Sequence, residues 1–303
     1  VFHVIKFDYV NDNNGYSQYN STFIPPEMFS DFNHIDYGVR LLDVNNDGFI
    51  DIVKGRTSGS VKKVYVNNRT NNWTISNTFT LPVYIVDASD IDNGVRFADV
   101  NNDGFVDILQ GTSSGGVKTA YLNNGTNWVQ NSTWNPPVYF INNNIDTGAN
   151  LEDVNGDGKI DILVAGNNVK QAYLNNGSGW KNASSEWISP VYFISSDKDA
   201  GARVIDLNGD GLVDVIEGSD FCTIVKNAYL NNGTGWTFYG NYSPPTVFTS
   251  NAKPDTGVRF ADLNGDGLPD LLEDYLNGTT TLNKAWLNNG TGWASTTIWD
   301  SPT

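Results

Sequence analysis

The sequence predicts an all-β protein, a β-propeller of about 54-residue four-stranded blades, with five complete blades and an N-terminal half-blade. Three observations predict it. The motif Asp-x-Asn-x-Asp-Gly-x-x-Asp, followed by two branched apolar residues, starts at Asp43, Asp99, Asp153, Asp206 and Asp262 and so recurs at a nearly constant interval. Each period holds four short runs rich in β-branched and aromatic residues, separated by Gly-rich turns. No segment carries the periodicity of a helix. A parallel β-helix would need much shorter repeats.

Each unit opens on Asp-x-Gly followed by Val or Ala, as in Asp36-Tyr37-Gly38-Val39-Arg40 and Asp92-Asn93-Gly94-Val95-Arg96. A short first strand leads into the acidic loop. A second strand leaves it, as in Asp51-Ile52-Val53, and ends at Gly55, Gly111, Gly166 or Gly218. The third strand runs into Tyr-Leu-Asn-Asn-Gly-Thr-Gly-Trp, seen from Tyr229 to Trp236 and, with Trp for Tyr, from Trp286 to Trp293. A fourth, outermost strand closes with Pro before an aromatic segment, as in Pro137-Val138-Tyr139-Phe140 and Pro190-Val191-Tyr192-Phe193. In the N-terminal segment, Tyr9 lines up with Tyr121, Tyr16 with Trp128, and Pro25-Pro26 with Pro136-Pro137. Residues 1–35 therefore read as the half-blade and 36–303 as five blades of one propeller domain. The last blade has its own outer strands, so the expectation is a piece of a longer chain.

The acidic loop has the chemistry of a calcium site. Calcium takes about six to eight hard oxygens, supplied in EF-hand-type loops by positions 1, 3 and 5, a backbone carbonyl at 7, and position 9. The expected ligands are Asp43, Asn45, Asp47, the Phe49 carbonyl and Asp51 in the first loop, and Asp99, Asn101, Asp103, Phe105 and Asp107 in the second. The third offers Asp153, Asn155, Asp157, Lys159 and Asp161, and the fourth Asp206, Asn208, Asp210, Leu212 and Asp214. The fifth offers Asp262, Asn264, Asp266, Leu268 and Asp270. A Gly at position 6, Gly48 in the first loop, allows the sharp turn. One such loop is as readily an Asx-rich surface turn; five in register point to about five structural Ca2+ ions. Magnesium suits an all-protein oxygen loop less well, and zinc lacks its ligands in a chain with one Cys and two His. The EF-hand Glu at position 12 is replaced by Lys54, Gln110, Val164, Glu217 and Glu273, inside a strand. The cage then bridges a hairpin, with weak affinity of the order of 10⁻⁴–10⁻³ M.

These loops, with the Gly-Val-Arg-Phe-Ala-Asp lead-in, resemble FG-GAP/VCBS repeats, the calcium-binding blades of integrin α-subunit propellers and of many microbial surface proteins. Residues 257–270 with Trp286 to Trp293 look more specifically like propellers of large Rhs/Tc-toxin-like proteins. The resemblance covers essentially the whole chain. It implies the propeller fold and calcium, and leaves function open.

The net charge of −16 is largely a property of the loops, which hold 15 of the 34 acidic residues. No Lys/Arg-rich patch invites a nucleic acid, and no apolar run is long enough for a transmembrane helix. Cys222 has no disulfide partner; burial is the plain reading and a reactive thiol the alternative. His3 and His34 lack a placed partner, and Gly55-Arg56-Thr57-Ser58-Gly59 lacks the strand-to-helix context of a nucleophile elbow, so no enzyme is expected.

Two repeated sets could meet a partner. Trp73, Trp128, Trp180, Trp236 and Trp293 either stack on a ligand such as a sugar or staple the blades together. Asp36, Asp92, Asp146, Asp199 and Asp255 precede Arg40, Arg96, Asn150, Arg203 and Arg259 by four residues. They form either a polar ring around a channel or Asx turns, with the Arg salt-bridged across blades. Lys118 is expected to be exposed. Sequons at Asn20, Asn72, Asn131, Asn182 and Asn241, with turn-locked ones at Asn68, Asn124, Asn176, Asn232 and Asn289, give weak support for secretion. The reading is an extracellular or cell-surface adhesion module with a protein or glycan partner. A lectin is the main alternative. A structural segment packed against other domains of a longer chain, as in a toxin-like shell or surface filament, is the second.

Overall fold

The fold is described from a computed structural model for residues 24–32, 35–69, 72–221, 223–252, 255–277 and 280–297. Most of the half-blade, with Asn20, His3, His34 and Cys222, lies outside the described residues.

Five antiparallel four-stranded sheets follow one another in sequence, each in the order first–second–third–fourth strand. The first sheet comprises Val39–Leu42, Asp51–Arg56, Val61–Asn67 and Trp73–Ile75. The second comprises Val95–Ala98, Asp107–Thr112, Val117–Asn123 and Trp128–Gln130, and the third Ala149–Glu152, Asp161–Gly166, Val169–Asn175 and Trp180–Asn182. The fourth comprises Ala202–Ile205, Asp214–Asp220, Ile224–Asn231 and Trp236–Phe238, and the fifth Val258–Ala261, Asp270–Asn277, Thr280–Asn288 and Trp293–Thr296. These are the predicted propeller blades.

Strand register places the acidic loop. Leu42 pairs with Asp51 and Ala98 with Asp107, so the loop is the hairpin connection and its ninth residue opens the second strand. The two apolar residues that follow point to opposite faces of the sheet. Ile52 and Val53, Ile108 and Leu109, and Ile162 and Leu163 are all fully buried, so both faces of these second strands are covered. The turn between third and fourth strands emerges at the same end of each blade as the acidic loop.

One pairing was not expected. After each of the first four blades, the segment leading onward returns to its own second strand in parallel: Arg56 bridges Val86, Thr112 pairs with Ile141, Gly166 with Ile194 and Ser219 with Thr249. Ile85, Phe140, Phe193 and Phe248 donate N–H bonds of 2.7–2.8 Å to the carbonyls of Gly55, Gly111, Ala165 and Gly218. A Cβ on Gly111 would lie 2.8 Å from the Val138 carbonyl, which is why Gly marks this place. The third blade departs from the predicted pattern here: Ala165 takes the position, and Gly166 follows one residue later.

The chain divides into two compact units. One holds the first two blades through Ile145, together with Gly177–Gly179. Its core joins Val53, Phe79 and Ile85 to Val95, Ile108 and Trp128 of the next blade. The other holds Asp146–Asn176 and the residues from Trp180 onward. Its core runs through Leu163, Trp187, Val204 and Val215, then through Leu207, Ile216, Tyr242 and Leu271.

Candidate metal centre

The loops are shaped by their own side chains. In the first, Asp43 accepts N–H bonds from Asp47 (3.1 Å) and Gly48 (2.7 Å), Asn45 accepts from Asp47 (3.1 Å), and Asp47 accepts from Phe49 (2.9 Å). The bond from the position-6 glycine to the first Asp recurs in every loop: Gly104 to Asp99, Gly158 to Asp153, Gly211 to Asp206 and Gly267 to Asp262. Those glycines have φ between 82° and 91°. Position 4 is left-handed too, at Asn46, Asn102, Gly156, Gly209 and Gly265. Asn and Gly are the residues that tolerate that conformation.

The ninth carboxylate is the buried anchor. Asp51, Asp107, Asp161, Asp214 and Asp270 are fully buried, and each accepts two backbone N–H bonds. One comes from the second residue of its own loop, Val44 N–H to Asp51 at 3.0 Å. The other comes from the last residue of the third strand, Asn67 N–H to Asp51 at 2.7 Å. Burial, reinforced by the first and fifth Asp of the same loop, pushes Asp107, Asp161 and Asp214 up to about 7 and Asp51 to about 6, against the pull of those two N–H groups. Asp270 is raised for the same reasons. Among the described residues, no Lys or Arg pairs with any of the five.

The donor set fits a hard divalent cation: three carboxylates and an amide oxygen per loop, with a buried carboxyl group that has no counter-charge among the described residues. The side chains do not form a closed cage. Among the described residues, no three acidic, imidazole or thiol groups converge on one point. Asn45 turns its amide N–H onto Asp47 (3.2 Å), and Lys159 and Arg69 approach Asp157 and Asp47 at 3.1 and 3.4 Å. A cation would have to displace these contacts. The position-7 residues Phe49, Phe105, Lys159, Leu212 and Leu268 would contribute through their backbone carbonyls alone.

Sequence reasoning missed a row of asparagines. Asn67, Asn123, Asn175, Asn231 and Asn288 precede the turn-locked sequon residues, and their N–H groups hold the ninth Asp at 2.7 Å. Asn123, Asn231 and Asn288 are almost completely buried and send Nδ2 to a carbonyl of the preceding blade. The following Asn124, Asn232 and Asn289 are exposed and fold into Asx turns closed by Thr126, Thr234 and Thr291. The signal was the doubled Asn itself, in which the first is buried at the blade boundary and the second shapes the exposed turn.

The repeated Trp side chains sit against protein. Trp128 is 5% exposed, packs edge-on to Phe79 of the preceding blade at 5.4 Å, and donates its indole N–H to Val106 (3.0 Å), the eighth residue of its loop. Trp73 makes the same bond to Ile50 at 3.3 Å. Trp236 stands edge-on to Trp187 at 6.0 Å, and Trp293 donates to the Tyr242 carbonyl at 2.9 Å. Trp73, Trp180, Trp236 and Trp293 are half-buried.

The Asp-x-Gly lead-ins are Asx turns: Asp36, Asp92, Asp146, Asp199 and Asp255 accept the N–H of Gly38, Gly94, Gly148, Gly201 and Gly257 at 2.7–2.8 Å. The ion pairs seen for the arginines are local. Arg40, Arg96, Arg203 and Arg259 pair with the Asp four residues earlier in the same turn, because both side chains leave one side of a short bend. Lys118, expected to be exposed, is half-buried; its Nζ lies over the Tyr139 ring at 4.5 Å and donates to the Pro137 carbonyl. Gly55 and Arg56 end the second strand, and Thr57 to Ser60 make the connection to the third through one short 3-10 turn, not the α-helix a nucleophile elbow needs.

A profile of FG-GAP-like repeats matches residues 43–110, 153–217 and 226–273. No curated protein sequence matches the chain. Among solved structures, an Agrocybe aegerita lectin that recognises non-reducing terminal N-acetylglucosamine matches with a TM-score of 0.62 and 21% identity, over 88% of this chain and 67% of the lectin. The Photorhabdus luminescens Tc holotoxin pore matches with a TM-score of 0.51 and 18% identity, over 88% of this chain. The chain spans only 12% of the toxin chain. Both likenesses concern the fold.

Proposed function

The chain belongs to the FG-GAP-like repeat family, and from that premise we propose that it is a non-catalytic extracellular interaction module whose blades are stabilised by calcium in the five acidic loops. The observation that supports this reading is the buried ninth Asp, repeated five times with no Lys or Arg partner among the described residues. When bound, calcium supplies the positive charge and hard coordination that three clustered carboxylates lack. The first and fifth Asp and the Asn of each loop would turn from the loop's own N–H groups toward the ion, while the ninth Asp stays fixed by its two backbone donors. Loops of this weak class fill where calcium is millimolar, which favours an extracellular site. The test is thermal melting in millimolar calcium and in EDTA. A sharp fall with chelator is expected; an unchanged melting temperature sinks the proposal.

The partner is proposed to be a protein surface, in adhesion. A glycan is the second reading, supported by the fold likeness to the N-acetylglucosamine-recognising lectin. A glycan array probed in millimolar calcium, and again with chelator, separates the two. Calcium-dependent binding to a defined sugar class selects the lectin, and a blank array with folded, loaded protein selects the protein partner. The likeness to a segment of the Tc toxin supports a structural role within a larger assembly as a third reading.

A further inference from the structure

Consecutive acidic loops are tied together by buried asparagines. In the unit that holds blades three to five, Asn231 Nδ2 donates to the carbonyl of Val154 at 2.8 Å, and Asn288 Nδ2 donates to Leu207 at 2.7 Å. Val154 and Leu207 are the second residues of the third and fourth loops. Asn123 makes the same bond to Val44 at 2.8 Å within the other unit. Each of these asparagines also holds the ninth Asp of its own loop: Asn231 N–H on Asp214 and Asn288 N–H on Asp270, both 2.7 Å. The second residue is in turn clamped from its own side, Val154 N–H on Asp161 at 3.1 Å and Leu207 N–H on Asp214 at 2.8 Å.

A continuous run of contacts therefore passes Asp161, Val154, Asn231, Asp214, Leu207, Asn288 and Asp270. Val154 and Leu207 are fully buried, and Asn231 and Asn288 are 2% and 1% exposed, so bulk water cannot substitute for these bonds. A second contact runs beside it. Leu212, at position 7 of the fourth loop, covers Gly156 at position 4 of the third so closely that a Cβ there would lie 2.5 Å from Leu212 Cδ2. Leu268 covers Gly209 in the same way, at 2.9 Å.

We propose that this asparagine relay makes cation loading of adjacent loops cooperative, with Asn231 and Asn288 as the coupling residues. The inference rests on the cation reading above. Position 2 lies between two ligand positions, so an ion that fixes residues 1 and 3 also fixes the carbonyl of residue 2. That carbonyl is the acceptor that the next blade's Asn needs. Once Asn231 is held, its backbone N–H presents Asp214 in the orientation its own loop requires, and the next ion meets a loop with less conformational freedom left to lose. Coupling of this kind is a difference in affinity between two states of the neighbouring loop, commonly about 5- to 150-fold.

Terbium titration of the full 303-residue chain, read by luminescence sensitised from aromatic residues, tests it. The expected result is a Hill slope above one for the wild type, reduced toward one in Asn231→Ser with the number of bound ions unchanged. Asn232→Ser, at the exposed neighbour, should leave the slope alone. If Asn231→Ser fails to fold by circular dichroism, Asp266→Asn decides: weakening only the fifth loop should reduce the calcium-induced hydrogen-exchange protection of Leu207 in the fourth. No terbium binding overturns the cation reading and the relay with it. Five ions with a slope of one in the wild type, or protection at Leu207 unmoved by Asp266→Asn, overturns the relay alone.

Discussion

Replacing Trp128 with Ala separates the two roles open to the repeated tryptophans. The side chain is 5% exposed, so almost all of its apolar surface is lost from the interior. Core Trp→Ala substitutions cost about 3–5 kcal/mol, the spread reflecting how far the site can collapse. Collapse is resisted here, because Phe79 stands edge-on at 5.4 Å and belongs to a different blade. The lost indole N–H adds little: the Val106 carbonyl keeps a weaker bond from Asn123 at 3.3 Å. The expected loss is about 4 kcal/mol at this one position. Trp73, half-buried with an indole bond of 3.3 Å, should lose roughly half as much. The assay is urea unfolding in saturating calcium, followed by far-UV circular dichroism, comparing midpoints at constant slope. A loss below about 1 kcal/mol for Trp128→Ala would refute the packing argument. Coupled with lost partner binding, it would return the ring to the ligand side.

Three further outcomes are expected. In chelator, the folded-state pKa near 7 of Asp107, Asp161 and Asp214 lies above the ordinary carboxylate value of 3.8, so the folded chain binds protons more tightly than the unfolded one. Stability without cation should therefore rise as pH falls from about 7 toward 4, by up to a few kcal/mol per site, whereas in saturating calcium it should fall over the same window; melts at pH 7.5 and 5 with and without EDTA that slope the same way contradict this. Asp103→Ala should destabilise in calcium but be neutral or stabilising in EDTA, since it removes a like charge from beside Asp107, while Lys118→Ala should cost about 1–2 kcal/mol in both, through its lost Tyr139 and Pro137 contacts. Gly94→Ala should cost at least about 2 kcal/mol in a denaturant melt, because its φ is +69° and the new Cβ would lie 2.2 Å from the Gly111 carbonyl; a loss under half that would show that the turn yields.

The features legible in the sequence are those fixed by local chain geometry. Asp43 to Asp51 announce their loop because ligand spacing is a property of nine consecutive residues, and Asp36-Tyr37-Gly38 announces its turn for the same reason. What a side chain meets across a blade boundary was not legible. The partner of Trp128 is Phe79, that of Trp236 is Trp187 and that of Trp293 is Tyr242. The residue type changes each time, and the third blade slips by one place, so no motif survives. In Asn123-Asn124 two identical residues have opposite fates, and only the direction of the strand says which one turns inward. Lys118 misled because its charge suggested solvent, while its ammonium finds the face of the Tyr139 ring and the Pro137 carbonyl instead.

The parallel return after each of the first four blades sets an order of events during synthesis. The segment around Ile85 and Val86 bonds back to Gly55 and Arg56 in the blade it is leaving, not in the blade it is about to build. A nascent blade can thus complete its backbone pairing before any residue of its successor has emerged. Phe79, however, stays uncovered until Trp128 has been made. Between those moments the growing chain carries a finished sheet with one open apolar lip. That lip is the place where a chaperone, or a second nascent chain, would first find purchase.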